Sequence, residues 1–268
     1  MVVVSALLAY NPIMSISPDI SLTALPGIPI IVPGTDLVAT IIAALEQAGL
    51  VLQARDVLVV TSKIVSKSEG RFVRLADVQP GDEALRHAEI VGKDPRMVEL
   101  VLRESQEVSR EGVNTLIVRH KLGFVSANAG IDQSNLDGGD EQVLLLPVDP
   151  DASARAISEG LKARTGVEVG VVISDSHGRP FRMGNVGVAI GSAGIPALRD
   201  LRGQPDLFGR ILKYTQQGFA DMIASAAGLV SGEGAEGRPV VLVRGLQFSE
   251  AAGRASDLVR PVHQDLFR

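Results

Sequence analysis

Two lysines four residues apart stand in Thr61-Ser62-Lys63-Ile64-Val65-Ser66-Lys67, directly after a β-branched run. If this segment turns helical, both ammonium groups share one face. With the hydroxyls and helix N–H groups nearby they could cradle a polyphosphate. No GxxxxGK followed by Ser or Thr occurs in the chain, so this is not a Walker loop; a solvated helix start is the alternative. A second cluster is Ser126-Ala127-Asn128-Ala129-Gly130-Ile131-Asp132-Gln133-Ser134-Asn135. Asp132 and Asn135 suit a hard cation and a ligand hydroxyl or phosphate, though such residues also make Asx turns for local reasons. The third cluster is Ser174-Asp175-Ser176-His177-Gly178-Arg179-Pro180-Phe181-Arg182. Asp175 ends an apolar strand, a poor place for a carboxylate unless it is paired or metal-bound. Ser176 adds an oxygen ligand, and Arg179 and Arg182 offer planar forks for phosphate or carboxylate. His177 reads as an exposed loop residue, with general base as the alternative. In the fourth cluster, Gly232 to Gly237 matches GxGxxG. A helix precedes it and a strand follows, the reverse of the dinucleotide fingerprint, so that reading is rejected. What is left is a flexible turn, or a backbone loop around a nucleotide with Glu233 facing a metal. Together, Asp132, Asp175 and Glu233 with the lysines and arginines point to phosphoryl transfer, where catalysis is mostly charge neutralisation and positioning.

The elements that must position these groups can be read from periodicity and end signals. Asp36–Ala48 reads as an amphipathic helix and Asp56–Thr61 as a buried strand. Asp82 to Arg110 reads as two helices broken around Gly92 to Pro95, followed by strands at Asn114–Val118 and Gln142–Leu146. Asp151–Arg164 is a helix ended by Gly166, and Val167–Ile173 is a strand running straight into Ser174. Val186–Ile190 reads as a strand, Tyr214–Val230 as a helix, and Pro239–Val243 as a closing strand. The apolar start, MVVVSALLAY, carries no Lys or Arg and reads as a strand rather than a secretory leader. Helices and strands do not alternate strictly, which gives an α+β fold of mixed sheets with helices. The four clusters are expected at loops where elements end. The small residues from Gly184 to Gly194 permit close backbone packing, or simply a buried strand.

Composition narrows the chemistry. Of 268 residues, 46% are hydrophobic and 21% charged, enough for a sizeable core. There is no cysteine, which excludes disulfides, thiolate metal sites and a thiol nucleophile. Formal net charge is −5, with two Tyr and no Trp, so nucleic acid is not an expected partner. The four histidines form no HExxH pair, which disfavours a zinc hydrolase. No run reaches the ~20 apolar residues of a membrane span, and a cytoplasmic protein is the default expectation.

Taken in order, VVTSKIVSKSEGR, SANAGIDQSN, VVISDSHGRPFRMGNVGVAIGSAG, DLRGQPDLFGRILKYT and GLVSGEGAEGRPVVLVRG resemble the coenzyme F-420 γ-glutamyl ligase family over roughly Leu25 to Gly245. The resemblance implies a GTP-dependent ligase that adds L-glutamate to the side-arm carboxylate of a deazaflavin coenzyme precursor. It implies manganese or magnesium, stimulation by potassium, and an intertwined homodimer with the family's α+β fold. Metal ligands would fall on Asp132, Asp175, Ser176 and Glu233. Nucleotide contacts would fall on Leu25, Pro26, Gly27 and Ile28, on Ser62, Lys63 and Lys67, on Asn135, and on Leu229, Val230, Ser231, Gly232, Glu233, Gly234, Ala235 and Glu236. Lys67, Asp175, Arg179 and Arg182 are the expected catalytic groups. Met222 and Ser231 depart from residues common in the family. Residues 1–248 are expected to form the ligase module and 249–268 a polar tail, with no room for the flavin-binding domain fused to some relatives. Two alternatives stay open: a γ-glutamyl ligase for another carboxylate, and a non-catalytic nucleotide- or metal-binding module.

Overall fold

The run Val57–Thr61 is apolar at every position but the last, so a strand built from it must be covered on both faces. The computed structural model, which describes residues 19–137, 139–248 and 251–265, meets that demand with a central sheet between helices. The helices are α1 Leu37–Gln47, α2 Ser62–Ser68, α3 Asp82–Val91, α4 Pro95–Arg103, α5 Pro150–Thr165 and α6 Phe219–Ser231. The strands are β1 Ser21–Ala24, β2 Val57–Thr61, β3 Phe72–Arg74, β4 Ser105–Gly112, β5 Thr115–His120, β6 Val125–Ala127, β7 Gln142–Leu144, β8 Gly170–Arg179, β9 Arg182–Ala193, β10 Leu198–Asp200, β11 Gln216–Gly218 and β12 Val240–Arg244. The central sheet has the order β1-β12-β2-β8-β9. Only β2 and β8 run parallel in it; the other pairs are antiparallel.

Alternate residues of each strand feed two cores, as the pleat requires. Leu58, Val60, Val171 and Ile173 join α1 and α5 on one face. Val57, Val59, Val172 and Val241 join α6 on the other. Asp36 caps α1 by accepting the Ala39 N–H at 2.9 Å, and Gly166 ends α5 in a left-handed conformation. A second lobe packs α3 and α4 against the β4-β5-β6 meander around Val98, Val101, Leu116 and Val118. This is the mixed α+β architecture expected from the lack of strict alternation.

Several expected boundaries move. The second helix of the Asp82–Arg110 region stops at Arg103, and Ser105–Gly112 pairs with β5 across a turn where Asn114 has φ +55°. The polar sequence of β4 hid it, because most of its side chains face solvent. The helix expected from Tyr214 starts at Phe219, since Gln216–Gly218 pairs with Leu198–Asp200 instead. The Ser174–Arg182 cluster is not a loop: β8 continues through it to Arg179 and pairs with β9. The N-terminal run MVVVSALLAY lies outside the described residues.

Among the small residues of β9, Gly187 shows why bulk is excluded. A Cβ there would lie 2.5 Å from the Ala224 carbonyl oxygen of α6. The edge of β9 is closed by polar groups. Asp151, nearly buried, accepts the Ser192 N–H at 2.9 Å and the Ala255 N–H at 2.8 Å, with Ser256 N–H at 3.3 Å. It ties the edge strand to residues 251–265. Asp151→Ala orphans these buried donors, and each unsatisfied group costs 1–3 kcal/mol. Urea unfolding should therefore show a loss of about 3 kcal/mol, with Asp151→Asn closer to wild type; a loss below about 1 kcal/mol would contradict this role for Asp151.

Candidate functional site

In open sheets, ligands bind outside the carboxyl ends of parallel strands. Here β2 ends at Thr61, in register with Ser174 of the parallel β8, which runs on past it. Strand β2 turns directly into α2, which carries Lys63 and Lys67 on successive turns. Strand β8 carries Asp175 and Ser176. The two elements are joined by the Ser62 hydroxyl, which donates to Asp175 Oδ1 at 2.9 Å. A cleft of about 1210 Å³ opens at this point.

The loop after β6 brings in the second cluster. Asn128, Ala129 and Gly130 are left-handed in succession, with φ +50°, +54° and +64°. At Gly130 a Cβ would meet Leu146 Cδ1 at 2.8 Å and come within 3.5 Å of Asp175 Oδ2, so the turn can hug β8 only without a side chain. The chain then bridges to β7 through Asp132 and Leu144. Asp132 pairs with Lys63 at 2.6 Å and accepts the Ser134 N–H at 2.7 Å. Burial pushes its carboxyl up, but the bonds from Lys63 and Ser134 outweigh that and hold it below the usual range. Lys67 donates to the Asn135 carbonyl at 2.7 Å. Its ammonium is lowered by burial and by the Lys63 charge, so an anion placed between the lysines is favoured by both.

Helix α6 ends at Gly232 with φ +76°, and the following loop closes the cleft from the other side. Glu233 accepts from the Ser176 hydroxyl with both oxygens, at 2.7 and 2.8 Å. The Asn135 amide donates to the Gly234 carbonyl at 3.3 Å. Ile28, Ser62, Lys63, Lys67, Asp132 and Asn135 thus share one cleft with Asp175, Ser176 and Ser231 to Glu236.

The remaining expected positions lie elsewhere. Leu25 is a fully buried core residue; Pro26, Gly27, Leu229 and Val230 do not line the cleft. Arg179 and Arg182 stand at the turn of the β8–β9 hairpin, where Arg179 donates to the Met183 carbonyl at 2.9 Å. Neither arginine lines this cleft.

One residue emerges that sequence reasoning passed over, and another stands differently from its expectation. Arg238 lines the cleft, exposed and without an ion pair among the described residues. Its only sequence signal is a cation between a glycine loop and a strand. His177 is not the exposed loop residue expected: its side chain is 12% exposed, and Nε2 bonds Asp175 Oδ2 at 3.0 Å. Because β8 continues as a strand, His177 lies on the same face as Asp175. Phe124 packs on its ring at 5.0 Å, and His120 stacks on Phe124.

His120 is itself a pH-sensitive support. Its Nδ1 accepts the Leu122 N–H at 2.9 Å, and burial pushes its pKa down to about 4, with Lys121 and Arg71 adding to the effect. A depressed histidine contributes stability above its unfolded pKa that is lost as pH falls through the folded one. Between about pH 6.5 and about pH 4, wild type should lose on the order of 3 kcal/mol more than His120→Gln. Denaturant midpoints across that window test this; parallel curves would contradict it.

Metal fit follows from donor chemistry. Among the described residues no three His, Asp or Glu side chains gather into a cage. Asp132, Asp175, Ser176 and Glu233 instead offer oxygens from separate walls of the cleft. That suits magnesium-like ions, which take one or two carboxylates and complete their shell with water and phosphate oxygens.

A mixed-sheet α+β fold thus gathers lysines, carboxylates and a glycine loop into one cleft beside the end of β2. The family profile described as F420-0:Gamma-glutamyl ligase matches residues 27–245. The chain is 44% identical over 251 residues to "Coenzyme F420:L-glutamate ligase" of Methanothermobacter thermautotrophicus, covering 93% of this chain and 99% of the relative. It is 44% identical to the protein of that name from Methanopyrus kandleri, covering 88% and 92%, and 45% identical to that from Methanocaldococcus jannaschii, covering 80% and 84%. The chain belongs to the F420-0:Gamma-glutamyl ligase family.

Proposed function

We propose that this chain is a ligase that joins L-glutamate to the side-arm carboxylate of a deazaflavin coenzyme precursor, driven by GTP through an acyl phosphate. The observation that carries the reading is the convergence of Lys63, Lys67, Asp132, Asp175, Ser176 and Glu233 on one cleft in a member of this family. A carboxylate does not acylate an amine directly, because oxide is its leaving group. Attack of a carboxylate oxygen on the γ-phosphorus forms a C–O–P linkage and breaks the bond to GDP. The glutamate nitrogen then attacks the acyl carbon, phosphate leaves with the C–O electron pair, and the amine gives up one proton. No protein nucleophile is required, in keeping with a chain that has no cysteine.

The chain's own groups divide the work. Lys63 and Lys67 meet phosphate oxygens and offset the charge that develops on them. Asn135 from one loop, and Ser231 to Glu236 at and after the end of α6, meet the nucleotide from two sides. Asp132, Asp175, Ser176 and Glu233 would hold manganese or magnesium, which supplies charge neutralisation on the phosphates. Potassium stimulation carries over from the family resemblance with no residues assigned to it. Among the described residues no helix is long and apolar enough to cross a membrane.

A homodimer is part of the proposal. Phe181 is 97% exposed, Met183 and Phe208 are each 96% exposed, and Leu207 and Tyr214 are nearly as open. Such a concentration of apolar side chains on two projecting hairpins supports a partner surface. Arg179 and Arg182 stand on one of these hairpins, and we place their substrate-gripping role in the cleft of a second copy. Arg179→Ala/Arg182→Ala should raise a substrate Michaelis constant at least about tenfold, the worth of one charge-assisted contact; unchanged constants would remove the arginines from the site. The nucleotide reading is tested by the diphosphate released during turnover: GDP is expected, and equal use of ATP would contradict it.

A further inference from the structure

A second cavity of about 700 Å³ lies against β9 and beside His177 of β8, within the size range of small-ligand sites. Arg155 of α5 and Arg254 and Arg260 of the C-terminal segment line it, and none of the three forms an ion pair among the described residues. The acidic groups facing it are largely committed. Asp151 serves three backbone N–H groups, and Asp149 caps α5 through the Ala152 N–H. Asp265 has a partner of its own. Asp221 is different. It is half-buried, its Oδ1 accepts the Ala189 N–H at 2.9 Å, and the nearby His177 ring acts on it electrostatically, with no Lys or Arg ion pair to it among the described residues. Burial raises its carboxyl above the ordinary range.

The cavity is also next to the chemistry. His177 lines it, and the same ring bonds Asp175, which lines the cleft. The two cavities are therefore separated at this point by one imidazole. Three open guanidinium groups, one carboxyl without a Lys or Arg partner and a wall shared with the cleft are complementary to a molecule with two carboxylates and one ammonium. Guanidinium forks take carboxylates in pairs, and a desolvated carboxyl gains most from an ammonium.

We propose that this second cavity is the docking site for the L-glutamate that is joined to the acceptor, a placement that rests on the ligase reading above. Arg155, Arg254 and Arg260 hold its carboxylates, and Asp221 holds its ammonium at the His177 partition, facing Asp175. All three arginines are exposed, so removing them leaves the core untouched.

The test is steady-state kinetics and direct titration of the full chain, wild type against Arg155→Ala/Arg254→Ala/Arg260→Ala and against Asp221→Asn. Asp221→Asn keeps an acceptor for the Ala189 N–H. The expected result is a rise of at least tenfold in KM for L-glutamate in both, with KM for nucleotide within twofold of wild type. Lysines at the three arginine positions should recover part of the loss. An unchanged KM for glutamate in the triple variant overturns the proposal. If wild type adds no glutamate at all, the ligase reading fails separately. Saturation-transfer NMR with L-glutamate alone then decides the cavity: signal in wild type that is lost in the triple variant supports it, and no signal or equal signal overturns it.

Discussion

Asp175→Asn is expected to lower the ligation rate by roughly a hundred- to a thousandfold, the range seen when one charge-stabilising group is taken from a reacting centre. The substitution is nearly isosteric. Its retained Oδ1 still accepts from Ser62, which holds Asp175 at 2.9 Å, so the junction of β2 and β8 is kept. What disappears is the negative charge at the centre of the cleft, between the turn at Gly130 and the α6 loop. Circular dichroism and the melting temperature should match wild type, and nucleotide binding measured without metal should change little. A variant with more than a tenth of wild-type activity would remove Asp175 from the chemistry and leave it as a strand-end hydrogen-bond partner.

The second large effect is on the nucleotide. Lys63→Ala/Lys67→Ala should weaken its binding by at least about a hundredfold, because two charge-assisted hydrogen bonds contribute about 1.5–3 kcal/mol each. In the protein without ligand these ammonium groups already hold the opposite wall, Lys63 through Asp132 and Ser134 and Lys67 through the Asn135 carbonyl. The double variant therefore loses two things, the phosphate contacts and the tether on the 132–136 loop. Calorimetric titration separates them. Lys63→Gln/Lys67→Gln keeps hydrogen-bond donors for the loop and should bind nucleotide almost as weakly as the alanine pair. Recovery to near wild-type affinity would show that positioning of the loop, rather than charge on phosphate, is what the lysines supply.

Much of this site is legible in the sequence because its residues violate local expectation. Asp175 at the end of an apolar strand, lysines at helical spacing after a buried strand, and a carboxylate in a glycine loop each need a partner, and the fold brings those partners into one cleft. What was hidden has a common physical cause. Strand β8 continues past its apolar half into SDSHGR because β9 pairs with it there, and pairing is a long-range fact that composition does not carry. The same error made His177 look exposed. The first part of β4, up to Arg110, reads as helix in the sequence because an edge of a small meander needs few apolar side chains. Leu25, a nucleotide contact by the family pattern, places its side chain in the core beside α1 and β12. The cavity beside β9 had no motif at all: Arg155, Asp221 and Arg254 are far apart in sequence and meet only because α5, α6 and the C-terminal segment all close on one strand edge.

The most direct test of the central claim is the mass of the product. Purified protein incubated with GTP, manganese, L-glutamate and the unglutamylated deazaflavin precursor should yield product heavier by whole glutamyl units. One GDP should appear for each unit, and both signals should vanish in Asp175→Asn. Precursor of unchanged mass, with GTP still bound, would contradict the ligase reading and leave a nucleotide site serving another carboxylate.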